Sequence, residues 1–114
     1  MENSGAWGEQ RAARYLKWRG YRIIGTNFRC RQGEIDIIAE KGQYIAFVEV
    51  KLRKNADFAE AREFVNYAKQ QRIIAAAGIW LSRNGTEKQP RFDVIEIYTD
   101  GKTVINHLIN AFEG

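Results

Sequence analysis

The chain has 114 residues, of which 45% are hydrophobic and 28% charged, with a formal net charge of +4 and a pI near 9.4. That is the size and make-up of one soluble globular domain spanning residues 1–114, neither disordered nor fibrous. No apolar run approaches the roughly 18 residues of a membrane span, the opening Met1–Gln10 does not read as a signal peptide, and the single Cys30 excludes an internal disulfide and argues against a zinc cluster, so a cytoplasmic location is expected.

Residues Gly5 to Arg19 read as a helix, with Ser4 as its cap and Gly20 as its stop. Ala12, Ala13 and Leu16 form its apolar stripe. Glu9 lies three, four and seven positions before them and so shares that stripe, while Arg11, Arg14 and Lys17 point mostly elsewhere. Glu9 is either a first-turn acid favoured by the helix dipole, an effect of ~0.3–1 kcal/mol, or a third acid aimed at a bound metal. Tyr21 to Arg31 reads as a strand, with Arg22, Arg29 and Arg31 as solvated charges and Cys30 as a half-buried hydrophobe. Gln32-Gly33 turns it into the next strand.

The stretch from Gly33 to Lys54, GEIDIIAEKGQYIAFVEVKLRK, reads as a β-hairpin. Gly42-Gln43 suits a two-residue type II′ turn. Lys41 then faces Tyr44, Asp36 faces Glu49, and Glu34 faces Lys51. Alternation puts Asp36, Glu49 and Lys51 on one face, and Ile35, Ile37, Ala39, Ala46, Val48 and Val50 on the other. Ile38, Ile45 and Phe47 make the first face apolar as well toward the turn, so the hairpin is central and covered on both sides. Two facing carboxylates in such a place are costly unless a cation neutralises them. A divalent metal held by Asp36 and Glu49, with Lys51 beside it, is the economical reading. Hard oxygen ligands suit Mg²⁺ or Mn²⁺, and the carbonyl at Val50 is a further candidate ligand.

Beyond the hairpin, Arg53, Lys54 and Asn55 make a basic exit, either a solvated loop or a phosphate contact. Ala56 to Arg83 reads as helical, with Asp57 as a cap, a short first piece, a long helix from about Val65, and Asn84-Gly85 as its end. Its second half, Ile73 to Leu81, is apolar nearly all round. Lys69, Gln70 and Gln71 lie in its first half, and periodicity does not choose among them. Pro90 to Thr99 reads as a fourth strand, Asp100-Gly101 as a turn, and Thr103 to Ile109 as a short edge strand. His107, the only histidine, is taken as structural or exposed. The long helix serves as a crossover, so the third and fourth strands can run parallel.

Asp36 followed by Glu49-Val50-Lys51 resembles the active-site motif of the PD-(D/E)xK nuclease superfamily, an Asp on one strand and Glu-x-Lys on the next. The wider match, GEIDIIA followed by FVEVK, resembles the YraN family of small nuclease-like bacterial proteins over nearly the whole chain. Ile35 stands where the superfamily's name has Pro. The resemblance implies an α/β, restriction-endonuclease-like core: a central mixed five-stranded sheet flanked by helices in the order αβββαββ. It implies a nuclease-like protein related to Holliday-junction resolvases, acting on nucleic acid and preferentially DNA, with Mg²⁺ or Mn²⁺ as cofactor. The implied catalytic residues are Asp36, Glu49 and Lys51, joined by Glu9, since resolvase-type relatives carry a Glu on the first helix. Arg53, Lys54 and Lys69 are the candidate nucleic-acid contacts, because related nucleases place a Lys or Gln on the long helix. Two rival readings remain: a nucleic-acid-binding module that cleaves nothing, and a structural ion network of Glu34, Lys51 and Asp36 without metal. A homodimer remains open, and no membrane partner is expected.

Overall fold

The computed structural model describes residues 4–53 and 65–113. Helix α1 spans Ser4–Trp18 and helix α2 spans Tyr67–Asn84. The strands are β1 (Arg22–Cys30), β2 (Gly33–Lys41), β3 (Tyr44–Arg53), β4 (Gln89–Tyr98) and β5 (Val104–Phe112). They form one sheet in the order β1-β2-β3-β4-β5, antiparallel except for the parallel β3–β4 pair. The expected mixed αβββαββ sheet is therefore present, with α2 lying between the two parallel strands in the chain. Asp57, read as a cap, and Lys54 lie outside the described residues. The cap that is seen is Asn66, whose side chain accepts the Lys69 N–H at 2.9 Å.

Each face of the sheet has its own core. On one, Ala12 and Leu16 of α1 pack against Ile37, Ala39, Ala46, Val48, Ile95 and Ile97. On the other, Ile73, Ala76 and Ala77 of α2 pack against Ile38, Ile45, Phe47, Phe92 and Val94. Burying a side chain such as Leu16 or Phe47 completely is worth about 1.5–3 kcal/mol, so both helices are held by apolar contact. The β2–β3 turn is as read. Lys41 pairs with Tyr44, and Gly42 has φ +59° while Gln43 does not enter the positive region, as a type II′ turn requires.

Two expectations are corrected. Ile35 does not share a face with Ile37; it joins Ile38 and Phe47 on the α2 side. The alternation is broken around Asp36, beside an irregular position on β1. The ladder pairs Thr26 with Ile37 and Phe28 with Ile35, skipping Asn27 and Asp36 between them, and Asn27 has φ +53°. A left-handed residue within a strand twists the chain, and Asn tolerates it better than most residues. The second correction is to β5, which runs on to Phe112. Asn110, at φ +56°, bends the strand, and Phe112 stacks on Phe92 with ring centroids 5.3 Å apart.

Candidate functional site

β2 and β3 pair regularly from the turn as far as Ile37 and Val48. The next facing positions are Asp36 and Glu49, and there the ladder gives way to side chains. The Val50 N–H donates to Asp36 Oδ2 at 2.8 Å, replacing a strand carbonyl with a carboxylate. Glu49 is buried, at 5% exposure, on the α2 face of the sheet. Its Oε2 lies 2.8 Å from Lys69 Nζ and 3.9 Å from Lys51 Nζ. Lys69 stands in the first turn of α2, which the Asn66 cap starts. Its neighbours do not share the role. Gln70 donates to the Val65 carbonyl at 2.8 Å, and Gln71 is exposed. The Glu34–Lys51 contact of the ion-network reading does not form. Glu34 instead meets Arg29 at 3.8 Å, both well exposed.

The electrostatics follow from burial and like charge. Burial and then the Glu49 carboxylate raise the Asp36 pKa to about 7 against the pull of the Val50 N–H, and Glu9 adds to the rise while Lys69 opposes it. Burial alone would lower Lys69, but the hydrogen bond and charge of Glu49, with the charges of Asp36 and Glu34, hold it above the ordinary lysine value. The site therefore carries more negative charge than Lys69 alone relieves.

That surplus fits a cation. Asp36 and Glu49 supply two hard oxygen donors. Mg²⁺ commonly takes one or two carboxylates and fills its remaining positions with water and substrate phosphate. The residues do not fit a cage made only of protein. Among the described residues, no three acidic, His or Cys side chains stand close enough together to hold a metal. Glu9 lies beyond the first turn of α1, which corrects its reading as a first-turn acid; half-buried there, it reaches Asp36 as a charge without completing a three-ligand cluster.

Arg53 is corrected too. It is not on an exposed exit but closes β3, 8% exposed, with its guanidinium 3.4 Å from Glu96. Of the expected phosphate contacts among the described residues, which leave out Lys54, only Lys69 stands at the site.

Sequence reasoning missed a second polar centre on β4. Asp93, fully buried, accepts from Arg91 Nε and its terminal nitrogen at 2.9 Å each, and from the Asn110 N–H at 3.0 Å. It also lies 2.8 Å from His107 Nε2. His107 Nδ1 in turn lies 3.1 Å from the Tyr15 hydroxyl, so the residue is structural, its side chain only 5% exposed, and ties β5 to α1. The signal available was Asp93 itself, a lone acid inside the apolar run Phe92–Ile97.

Such a site, a buried Glu49 and a half-buried Asp36 where the β2–β3 ladder ends, with Lys51 beside them on β3 and Lys69 reaching in from α2, defines a protein with a built polar centre in a mixed α/β sheet, not a bare scaffold. The chain belongs to the family described as uncharacterised protein family UPF0102, the YraN-type group, whose profile matches residues 8–97. It is 46% identical to a UPF0102 protein of Geobacter sulfurreducens over 112 residues, covering 96% of this chain and 88% of the relative. A UPF0102 protein of Caldanaerobacter subterraneus subsp. tengcongensis is 43% identical over 113 residues, covering 95% and 93%. One from Nocardia farcinica is 45% identical over 111 residues, covering 95% and 87%. No helix among the described residues is long and apolar enough to cross a membrane.

Proposed function

We propose that this protein is a Mg²⁺- or Mn²⁺-dependent endonuclease of the PD-(D/E)xK kind, hydrolysing phosphodiester bonds in nucleic acid, preferentially DNA. The observation that carries the reading is the pairing of Asp36 with Glu49 in a buried place where the Asp36 pKa rises to about 7. Structural carboxylates are normally arranged to avoid such repulsion, whereas functional sites concentrate it. Asp36 and Glu49 would hold the metal, with the Val50 carbonyl as a further candidate ligand. Bound there, the metal supplies Lewis-acid charge toward a phosphoryl oxygen and acidifies water.

The chain's own groups divide the rest of the work. The Val50 N–H fixes Asp36 Oδ2 and so orients the carboxylate. Lys69 neutralises part of Glu49 and, at 35% side-chain exposure, can turn to a bound phosphate. Lys51, held only at 3.9 Å, is placed to meet charge that grows on the phosphoryl group in the transition state. Glu9 deepens the negative potential at Asp36.

A second reading, nucleic-acid binding without cleavage, is favoured by the 2.8 Å Lys69–Glu49 pair, which satisfies one carboxylate without any metal. One experiment separates the two. Linear, nicked, flapped and four-way-junction substrates are incubated with Mg²⁺ or Mn²⁺ and either the wild type or the double variant Asp36→Asn/Glu49→Gln. Cleavage by the wild type that the double variant loses supports the nuclease. Binding without cleavage by either protein gives the second reading the lead, and calorimetry showing equal metal affinity in both rejects the metal site.

A further inference from the structure

We infer that the groove between the β1–β2 turn and α2 is the site for a backbone phosphate of the substrate strand, next to the one at the carboxylate pair. The inference rests on the nuclease reading for its substrate class and extends it to residues that reading does not use. The groove has a volume of about 380 Å³, and Arg29, Cys30, Gly33, Glu34, Lys69 and Arg72 are among the residues that line it. Lys69 belongs both to the groove and, through its 2.8 Å contact with Glu49, to the acidic site. The two spaces are therefore contiguous.

The cations of the groove are available. Arg72 is exposed and forms no ion pair among the described residues. Arg29 is 72% exposed and reaches only Glu34, at 3.8 Å and itself 58% exposed, a contact of the sort that contributes little and exchanges readily for another anion. Both are arginines, whose planar fork grips a phosphate with two parallel hydrogen bonds. Lys69 and Arg72 stand three apart on α2, so their Cβ atoms are about 5–6 Å from each other on one helix face. A strand with one phosphate at Lys69 can thus place its neighbour at Arg72, with Arg29 closing from the opposite wall.

The walls are held at a set spacing. A Cβ on Gly33 would come 2.8 Å from the Arg72 carbonyl oxygen and 3.1 Å from Arg72 Cβ, so the turn lies directly on the helix backbone. Cys30 Sγ reaches the Gly33 carbonyl at 3.5 Å and steadies the same turn. The close approach brings Arg29 and Arg72 onto one groove and lets only a glycine occupy position 33 without movement.

The test is a salt titration of binding, by fluorescence anisotropy, with a labelled duplex oligonucleotide and Ca²⁺ in place of the catalytic metal. It compares the full-length wild type, Arg29→Ala/Arg72→Ala, and a charge-matched control, Arg14→Ala/Arg22→Ala. Mn²⁺ calorimetry is run on the same three proteins. Each phosphate neutralised contributes about −0.9 to the slope of log K against log salt. The groove variant is expected to flatten the slope by up to about 2 and to bind at least tenfold more weakly at moderate salt. The control should match the wild type, and Mn²⁺ affinity should be the same in all three. Gly33→Val, which pushes the walls apart without removing charge, should weaken binding as well. Groove and control variants that lose affinity equally, or a groove variant that loses none, overturn the inference and leave the metal site standing. A wild type that binds Mn²⁺ but no oligonucleotide overturns both the groove and the nuclease reading.

Discussion

The protein sets two aspartates in central strands, Asp93 fully buried and Asp36 half-buried, and treats them in opposite ways. Asp93 on β4 is fully enclosed, yet its pKa is lowered. Burial opposes ionisation there, but His107, the paired nitrogens of Arg91 and the Asn110 N–H outweigh it. Asp36 on β2 is less completely enclosed, yet its pKa rises to about 7, because its near neighbour is Glu49 and its one close donor is the Val50 N–H. Burial is common to both, so the neighbours decide. Asp93 is a finished structural ion cluster that ties β4 and β5 to α1, with Arg91 also bonded to the Tyr21 hydroxyl. Asp36 sits in an unfinished cluster that is short of positive charge and open to a cation from outside.

The sharpest way to break this contrast is to remove the satisfied acid. Asp93→Ala leaves the Arg91 guanidinium, 12% exposed, without its counter-charge and His107 without its hydrogen-bond partner, and stranding a buried charge costs about 3–5 kcal/mol. Urea denaturation should show that loss with little change in metal affinity. A loss below about 1 kcal/mol would mean the Asp93 cluster is as incidental to stability as a surface pair.

Cations offer the next comparison. Arg91 is fixed on Asp93 by two hydrogen bonds, whereas Lys51 lies 3.9 Å from Glu49 and remains 29% exposed. Lys51→Ala should therefore slow single-turnover cleavage by roughly 10²–10³, the usual worth of a donor aimed at developing charge, while stability and nucleic-acid affinity change little. Lys51→Arg should rescue only in part, because a planar fork does not replace a compact ammonium. Arg91→Ala should do the reverse, lowering stability and sparing any cleavage by the folded protein. Equal cleavage rates in wild type, Lys51→Ala and Lys51→Arg would reduce Lys51 to a solvated strand-end charge.

Relieving the repulsion is a smaller effect of opposite sign. Asp36→Asn keeps an oxygen for the Val50 N–H, where Asp36→Ala would strand that donor at about 1–3 kcal/mol. Asp36→Asn/Glu49→Gln should hold or raise the stability of the metal-free protein, by about 1 kcal/mol on the scale of a like-charge cross-strand pair. The same double variant should show no Mn²⁺ heat in calorimetry. A marked destabilisation would place Asp36 in the same class as Asp93.

Much of the fold was legible because it rests on local patterns. The Gly42 turn set the β2–β3 register, and that register put Asp36 opposite Glu49. The apolar faces of Leu16 and Ile73 placed one helix on each side of the sheet. What escaped depends on contacts distant in sequence or on backbone departures that no periodicity encodes. Ile35 joins the other core next to an irregular stretch where Asn27 on β1 sits at φ +53°. Arg53 looked like the first residue of a basic loop because Lys54 follows it, but its partner Glu96 lies on β4, 43 positions away. His107 appeared polar-flanked on an edge, and only the packing of α1 and β4 against β5 reveals Tyr15 and Asp93 beside it. Lys69 could not be separated from Gln70 and Gln71 by period alone. The helix start at Asn66 makes the choice.

The last comparison is in pH. A carboxyl whose folded pKa exceeds its unfolded value keeps its proton on folding while the unfolded chain gives it up. For Asp36 the interval runs from the ordinary 3.8 to about 7. Within it the unfolded state binds fewer protons, so its contribution to stability falls as pH rises, by at most about 1.4 kcal/mol per unit, and levels off above pH 7. Asp93 has the opposite sign: its pKa is lowered, so its contribution is present above the ordinary carboxylate value and is lost only on acidification below it. Between pH 5 and 7 the Asp93 contribution is nearly constant, and the difference in slope between wild type and Asp36→Asn isolates Asp36. The wild type without metal should lose stability across that range relative to the variant. Added Mn²⁺ should then stabilise the wild type more at pH 8 than at pH 6, since it binds the ionised carboxylate and must displace the proton at the lower pH. Parallel stability curves for wild type and Asp36→Asn from pH 5 to 7 would show that Asp36 ionises as an ordinary surface acid, and the contrast between the two aspartates would fail.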